Sequence, residues 1–357
     1  MAEPFALSIA RDGSLRATVV PLDLPPLEPG QARFRIGRLA LTANTVTYAT
    51  FGDAMRYWDF FPAADGTGRV PAWGFATIVE SRAEAAPEGE RVWGFWPVAS
   101  HATLTPVSDT EWAFDDAAPH RADLPRVYNS YPIDIYPDTP EGEARRAVFE
   151  PLFLTAFVLA MELRSAADGA GAITITGASS KTALALAAIL RDAPLPGVTI
   201  EGLTSPGNRD FVAASGLYDR VAAYDDLILL AGDRPRLIVD MAGSAAVNRA
   251  LHTRFGDRLL GNIRVGAAHW SDSAPARDLP GPKPRFFFAP DAFRAVLRQL
   301  GDAEVVARMG IARGALSKGA HGLISMHRLT GPEGALAGWS DLVAGRVKPD
   351  RALVLEP

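Results

Sequence analysis

Ile173-Thr174-Ile175-Thr176-Gly177-Ala178-Ser179-Ser180-Lys181-Thr182-Ala183 is the stretch that decides the fold. Ile173-Thr174-Ile175 suits a buried strand, and residues 177–180 are a run of small residues fit for a tight turn. From Thr182 to Leu190, Ala183, Leu186, Ala187 and Leu190 recur at i, i+3, i+4 and i+7, one face of a helix. A strand that turns directly into a helix leaves the first-turn N–H groups facing outward, and their dipoles favour an anion. Small side chains at Gly177, Ser180 and Ala183 admit, respectively, the turn, the close approach of a pyrophosphate and helix–strand packing. Gly-x-x-Ser-x-x-Ala is poorer in glycine than the usual dinucleotide fingerprint, so an ordinary turn without a ligand competes with this reading.

The surrounding chain favours the nucleotide. From about Ala147 to Pro290 strands and helices alternate. Val198-Thr199-Ile200 is a strand, Arg209 to Ser215 a helix, Val221 to Tyr224 a strand and Leu237 to Met241 another. Ala245 to Phe255 is a helix and Asn262 to Ala267 a fifth strand. Alternation at this pitch predicts a doubly wound parallel sheet. An acidic residue about 20 positions after the turn would hold a ribose diol; here the second strand ends in Thr204-Ser205-Pro206-Gly207-Asn208-Arg209. With no carboxylate at Thr204 or Ser205 to repel a 2′-phosphate, and with Arg209 as a forked cation beside it, the expected cofactor is NADPH. Lys181 is a second cation at the turn, and an exposed first-turn position is the plainer reading of both.

The first ~140 residues differ in texture, with short apolar runs punctuated by Pro and Gly every 8–12 residues, as in a small barrel. Ala32 to Ile36, Leu39 to Leu41, Ala76 to Glu80 and Arg91 to Pro97 read as strands. The last ~65 residues carry a helix at Ala292 to Leu300, another at Ala335 to Leu342 and a terminal strand, Ala352-Leu353-Val354-Leu355, for which the N-terminal barrel is the expected partner.

Composition narrows the chemistry. The 357 residues are 48% hydrophobic and 22% charged, the range of a globular chain with a sizeable core. The longest dense apolar stretch, Pro151 to Leu163, falls short of the ~20 residues a bilayer requires. Met1-Ala2-Glu3-Pro4 has no secretory character, so the cytoplasm is the expected location. A net charge of −5 without basic runs argues against nucleic acid. There are no cysteines, which removes disulfides, iron–sulfur clusters, thiolate nucleophiles and Cys-ligated zinc. No two histidines stand at ligand spacing on one helix face, and no metal is expected.

The order of barrel, nucleotide domain and return to the barrel resembles the medium-chain dehydrogenase/reductases, in particular their zinc-independent, quinone-oxidoreductase-like branch. More closely, the chain resembles the family labelled DUF2855. That likeness rests on Thr42 to Tyr48, Phe51 to Trp58, the Ala178 to Ala183 turn, Tyr218-Asp219-Arg220-Val221, Tyr224-Asp225-Asp226 and Phe286 to Pro290. The resemblance implies an α/β fold: a GroES-like β-barrel catalytic domain (residues 1–140 and 291–357) plus a Rossmann doubly wound parallel-sheet domain (141–290). It places Asn44 near the nicotinamide, where zinc-dependent relatives have a cysteine ligand, Thr155 ahead of the nucleotide domain, and Tyr224 along the adenosine. Ser180-Lys181 replaces a glycine pair, and Thr47 stands where relatives often have Asp. The resemblance also admits a homodimer.

Without zinc, an oxygen that gains negative charge must meet hydrogen-bond donors, and a proton must come from a side chain or water. The candidates are Asn44, Tyr48, Tyr57 and His101, with Tyr48 favoured and a barrel-rim aromatic as its plainer reading. Arg56 and Asp53 read as an ion pair or a substrate anchor. The nucleotide candidates are Thr155, Gly177, Ser179, Ser180, Lys181, Thr182, Ser205, Asn208, Arg209 and Tyr224. The aromatic set Trp58, Phe60, Phe61, Trp73, Trp93 and Trp96 is either core or the wall of a flat apolar pocket. The expected activity is NADPH-dependent reduction of an activated alkene (quinone, enone or enoyl thioester) or of a carbonyl. A lyase or hydrolase on the same scaffold, and a non-catalytic NADPH-binding protein, stay open.

Overall fold

The computed structural model describes residues 3–108, 110–134, 139–265 and 279–357. Two compact units emerge: Met1–Val148 with Ser325–Pro357, and Phe149–Ile324. No helix among the described residues is long and apolar enough to cross a membrane.

In the first unit the strands are β1 (Phe5–Ala10), β2 (Ala17–Pro21), β3 (Ala32–Leu41), β4 (Thr67–Arg69), β5 (Pro71–Ser81), β6 (Arg91–Pro97), β7 (His101–Leu104), β8 (Pro106–Val107), β9 (Ala113–Asp116) and β10 (Ser130–Pro132), with a short helix α1 (Ala43–Thr50). The two runs expected at 32–36 and 39–41 are one strand, β3, whose register against β5 shifts at Arg33/Phe34 and Ile36/Arg38. The first shift leaves Val79 of β5 as the extra residue and the second leaves Gly37 of β3, and each bends its strand, as barrel closure requires. The bend lets one strand serve two partners in succession: Ala32–Arg35 pairs with β7, and Leu39–Leu41 with the C-terminal strand. Gly74 and Gly94 face each other across β5 and β6. A Cβ at Gly74 would lie 1.9 Å from the Arg38 carbonyl oxygen, and one at Gly94 2.3 Å from the Tyr131 ring, so both positions need glycine.

In the second unit the strands β11 (Ala172–Thr176), β12 (Thr199–Thr204), β13 (Arg220–Ala223), β14 (Arg236–Asp240), β15 (Leu259–Arg264) and β16 (Arg285–Phe286) are all parallel, in the order β13-β12-β11-β14-β15-β16. This is the 3-2-1-4-5-6 order of a dinucleotide-binding sheet, in which ligands bind at the carboxyl ends where the order reverses. Here that place is the β11/β14 boundary, at Thr176 and Asp240. The helices are α2 (Pro140–Ala166), α3 (Lys181–Asp192), α4 (Arg209–Ala214), α5 (Ala245–Phe255), α6 (Ala289–Leu300) and α7 (Asp302–Gly319). The fifth strand was expected to run to Ala267; it ends at Arg264, and Gly266 and Ala267 lie outside the described residues.

Two elements were not legible. α7 buries Val305, Ala312, Ala315 and Leu316 but exposes Val306 and Ile311, so its apolar residues trace no single face. Its docking on α3 ends at Gly319, where a Cβ would lie 2.9 Å from that of Ala188. For this reason residues 291–324 go with the nucleotide-type unit, and the crossings fall at 148/149 and 324/325. β17 (Ser325–Thr330), outermost in its sheet, carries polar residues on both faces and shows no alternation. It lies parallel to β18 (Arg351–Glu356), which pairs antiparallel with β3, the partner expected for the terminal strand; α8 (Gly331–Val343) connects β17 to β18.

Glu201 on β12 and Arg236 on β14 form an ion pair at 2.7 Å with neither side chain exposed. Thr174, on the strand that separates them, donates to Glu201 at 3.0 Å and accepts from Arg236 at 2.9 Å. The guanidinium also stacks on Phe255, 3.6 Å from the ring centroid. Removing one partner strands the other charge. Glu201→Leu should cost about 3–5 kcal/mol in chemical denaturation, and adding Arg236→Met should recover most of the loss; equal stability of wild type and Glu201→Leu would refute this account.

Candidate active site

The decisive turn is as tight as its residues require. Gly177 has φ +60°, and a Cβ there would lie 3.3 Å from the Ala242 nitrogen, so the position is conformationally and sterically glycine's. Ser180 caps α3, its Oγ accepting from the Ala183 N–H at 3.3 Å. α3 therefore starts at Lys181, with Thr182 in its first turn. Ser179 Oγ meets Thr204 Oγ1 at 3.3 Å and accepts from Asn208 Nδ2 at 3.1 Å, which ties the turn to the end of β12. Tyr218 donates to the Ala178 carbonyl at 2.9 Å, and its ring occupies the space that a Cβ on Gly202 would need. Tyr224 Oη accepts from the Gly177 N–H at 3.1 Å. Burial raises the Tyr224 pKa, the Gly177 amide opposes that rise, and nearby Asp240 adds to it.

Asp240 organises the other half of this opening. It accepts from Thr176 Oγ1 at 2.6 Å, from the Gly243 N–H at 3.0 Å and from Asn248 Nδ2 at 2.6 Å; Thr176 Oγ1 in turn accepts from the Ala242 N–H at 3.1 Å. The chain continues inward, with Asn262 Nδ2 donating to Asn248 Oδ1 at 2.8 Å and standing 2.9 Å from His252 Nε2. His252 Nδ1 lies 2.7 Å from the Pro280 carbonyl oxygen. An amide donor opposite Nε2 makes that atom the acceptor, so Nδ1 carries the hydrogen. Sequence reading missed Asp240, Asn248 and Asn262. The strand-end Asp240, five residues before the first residue of the helix that follows it, was the one available signal.

These groups fit a dinucleotide. A tight glycine turn leads directly into the N-terminus of α3, and the β12 end carries hydroxyl and amide groups. Ser205 and Asn208 are half-buried and Arg209 is exposed at the start of α4. Thr155 is half-buried within α2.

The first unit holds a cluster of phenols and indoles. Asn44 and Tyr48, expected just past a strand end, lie on α1, which Thr42 and Thr45 start with a capping box, Thr45 Oγ1 accepting from the Thr42 N–H at 3.0 Å. Four residues apart on one helix, the two side chains meet, and the Asn44 side chain hydrogen-bonds to the phenol. Trp73 Nε1 donates to Tyr48 Oη at 3.1 Å. Burial raises the Tyr48 pKa above the usual phenol value, and the hydrogen bonds from Trp73 and Asn44 oppose it. Among the described residues the Tyr48 hydroxyl meets donors but no acceptor. Tyr57 packs on Tyr48 at 4.8 Å between centroids, and its hydroxyl stands 3.3 Å from that of Tyr128. Burial raises the Tyr57 pKa as well, with the Tyr128 hydroxyl adding to the effect.

Tyr128 contacts the rings of Tyr48, Tyr57, Phe60, Trp73 and Phe95, and no local signal in the sequence pointed to it. Arg121, buried, fixes its loop by donating to Asn129 Oδ1 at 3.1 Å and to Tyr131 Oη at 2.7 Å. Among the expected wall residues, Trp58, Phe60, Phe61 and Trp96 are buried core, and Trp73 and Trp93 are half-buried and stacked on each other.

His101 lies elsewhere on the barrel. It pairs across the sheet with Arg35, and its Nδ1 is 3.0 Å from Ser100 Oγ. The Arg56–Asp53 pair does not form: Arg56 binds Asp59 at 2.8 Å, and Asp53 is held by Arg11. A left-handed backbone at Arg56 turns the chain into the 57–60 helical turn and brings Asp59, three residues on, within reach. Among the described residues no three His, Asp or Glu side chains gather as a metal site.

The barrel with its bulged strand and the 3-2-1-4-5-6 sheet together define the GroES-like plus Rossmann fold of the medium-chain dehydrogenase/reductases. The chain belongs to the family described as a protein of unknown function, DUF2855, whose profile matches residues 39–348. No curated protein matches it by sequence. Among solved structures it is similar to CurA from Vibrio vulnificus in complex with NADPH (TM-score 0.64, 12% identity, 99% of both chains). It is also similar to the quinone oxidoreductase from Coxiella burnetii (0.54, 12%, 100% of both) and to the CurK enoyl reductase (0.57, 12%, 99% of both).

Burial, with Arg33 and Arg35 nearby, lowers the His101 pKa below 6.5. The fold thus prefers neutral His101, and its contribution to stability is complete above pH 6.5 and is lost as pH falls from there through the folded value. The denaturation midpoint of wild type should decline below pH 6.5 more steeply than that of His101→Gln; parallel pH profiles would contradict the assignment.

Proposed function

We propose that this protein is an NADPH-dependent oxidoreductase that reduces an activated alkene or a carbonyl conjugated to an apolar body, with quinones and enones as the first candidates and enoyl thioesters next. The observation that carries the reading is Tyr48: a buried phenol whose oxygen is met by Trp73 Nε1 and the Asn44 side chain, in a barrel whose chain continues into a dinucleotide-type sheet.

Reduced NADPH, when bound, supplies the hydride. The turn at Gly177, the Ser180-capped start of α3 and the Ser179–Asn208–Thr204 group would hold its pyrophosphate and adenosine ribose, with Lys181, Thr182 and Ser205 alongside. Thr204-Ser205 presents no carboxylate against a 2′-phosphate, and Arg209 offers it a charged fork. Tyr224, bound to the Gly177 amide, holds the turn open on the adenosine side. On the barrel, Tyr48 donates its hydrogen to the substrate oxygen as charge grows there, and the two N–H groups behind the phenol strengthen that donor. The surrounding rings favour a flat apolar acceptor. CurA bound to NADPH, the quinone oxidoreductase and the enoyl reductase support the reading as proteins of similar fold.

Two measurements test it. Calorimetry should find NADPH bound more tightly than NADH, with Arg209→Ala weakening NADPH about tenfold and NADH little; equal losses for the two cofactors would remove Arg209 from the site. Anaerobic NADPH oxidation with a panel of quinones, enones and acyl thioesters should exceed background for at least one class, and Tyr48→Phe should lower that turnover by about 10²-fold. No turnover with saturating cofactor ends the reductase reading.

A further inference from the structure

We propose that the outer face of the barrel carries a binding site for a tetrahedral oxyanion (phosphate, sulfate or the phosphoryl group of a small molecule), built from Arg35, His101 and Thr103 with Arg33 at its side. Alternation along two strands sets the face. On β3, Ala32, Phe34 and Ile36 are buried, so Arg33 and Arg35 point outward; on β7, Ala102 and Leu104 are buried, so His101 and Thr103 point outward. The strands pair antiparallel with Arg35 opposite His101 and Arg33 opposite Thr103. Directly opposed residues share a face, with Cβ atoms about 4.5–5.5 Å apart, and these four form a square of hydrogen-bond donors. All four belong to the first unit.

The positive charge of the square is unevenly matched. Arg33 is committed: Glu80, its cross-strand partner on β5, accepts from Nη1 at 2.6 Å, and the Pro25 carbonyl accepts from Nη2. Arg35 sits between His101 on β7 and Thr77 on β5. Thr77 Oγ1 accepts from Arg91 at 3.2 Å, and Arg91 pairs with Glu143. Arg35 itself is exposed, and among the described residues no acceptor is bonded to its guanidinium. Its neighbours across the sheet are thus a histidine on one side and a threonine already engaged by an arginine on the other. Like charges placed opposite each other are destabilising, and an anion seated between Arg35 and His101 replaces that repulsion with charge-assisted hydrogen bonds. Donors converge from two strands and two rows, which suits an oxyanion whose oxygens diverge; a carboxylate would be filled by the Arg35 fork alone.

His101 is seated for both of its charge states. Its Nδ1 is 3.0 Å from Ser100 Oγ, which accepts from the Phe5 N–H at 3.0 Å and stands 3.4 Å from the Phe5 carbonyl oxygen. With the serine hydrogen turned to Nδ1, the neutral ring carries its own hydrogen on Nε2. On protonation, Ser100 turns its hydrogen to the Phe5 carbonyl and accepts from Nδ1, and the backbone stays where it is. In both states Nε2–H is a donor bonded to no acceptor among the described residues. Burial and the charges of Arg33 and Arg35 disfavour the imidazolium, and Glu80, on the far side of Arg33, does not offset them. An anion on Arg35 reverses the local sign: it favours the imidazolium, and the imidazolium favours the anion. Binding therefore takes up a proton and tightens as pH falls.

The test is a histidine titration of the nitrogen-15-labelled full-length protein by NMR, in a buffer free of oxyanions. Sulfate is the probe, because its own charge does not change between about pH 5 and 8, where histidine titrates. Sodium sulfate should raise the His101 midpoint by about one pH unit, and sodium chloride at the same ionic strength should raise it far less. Arg35→Gln should raise the midpoint without any added anion and abolish the further rise with sulfate. Equal shifts from sulfate and chloride in wild type mean screening alone and overturn the proposal without recourse to a variant; an undiminished sulfate response in Arg35→Gln overturns it as well. Methyl phosphate that reproduces the rise assigns the site to a phosphorylated small molecule, and a rise confined to the inorganic ions assigns it to the free ion.

Discussion

The bond from Thr176 Oγ1 to Asp240 at 2.6 Å joins the carboxyl ends of the two central strands, β11 and β14, and the turns at that end of the second unit depend on it. A parallel sheet leaves strand-end amides and carbonyls without ladder partners at the point where its order reverses. One buried carboxylate meets that need here by accepting a hydroxyl, a backbone amide and a side-chain amide together, while Thr176 Oγ1 takes a second amide. A buried carboxylate so satisfied is stable, and it holds the 176–181 and 240–244 turns in register. The inner Asn248–Asn262–His252 relay fixes Asp240 from behind, so the geometry at the turn does not rest on the turn residues alone.

The barrel follows a different logic. Its core is aromatic, and the polar ends of those rings hydrogen-bond to one another. Trp73, Tyr48, Tyr57 and Tyr128 bury their faces against Phe95 and one another while keeping hydroxyl and indole N–H groups paired. A buried phenol without a partner would cost stability, so the pairing is a folding requirement first.

Elsewhere the first unit is held by ionic contacts that close long loops of sequence. Arg38 on β3 binds Glu143 on α2 and, at 2.6 Å, Glu356 at the end of β18, while Arg91 binds Glu143 through two bonds at 2.5 and 2.6 Å. These contacts draw residues 38, 91, 143 and 356 together, so the C-terminal strand is secured at its last residues as well as by its ladder. Paired and hydrogen-bonded on several sides, these partly buried charges avoid the penalty of isolated ones.

By itself the sequence determined the strand-turn-helix at 173–190, the strand–helix alternation after it, the barrel strand at 91–97 and the absence of cysteine chemistry. Each of these is written in neighbouring residues, as period, turn chemistry or composition. It also placed Tyr48 and Asn44 together, because four residues on a helix are adjacent in space, even though the helix itself was read as a strand end. Tertiary structure alone decided what depends on distant residues. It brought Tyr128 to Tyr57 across 71 positions, gave Asp53 to Arg11 and Arg56 to Asp59, and set Tyr224 against the Gly177 amide. It also made a helix of 302–319, whose apolar residues are spread around the axis and find their burial in α3. Local periodicity encodes elements because a helix or strand repeats within a few residues; which hydroxyl meets which amide is set by packing between segments far apart in the chain, and no short window of sequence contains it.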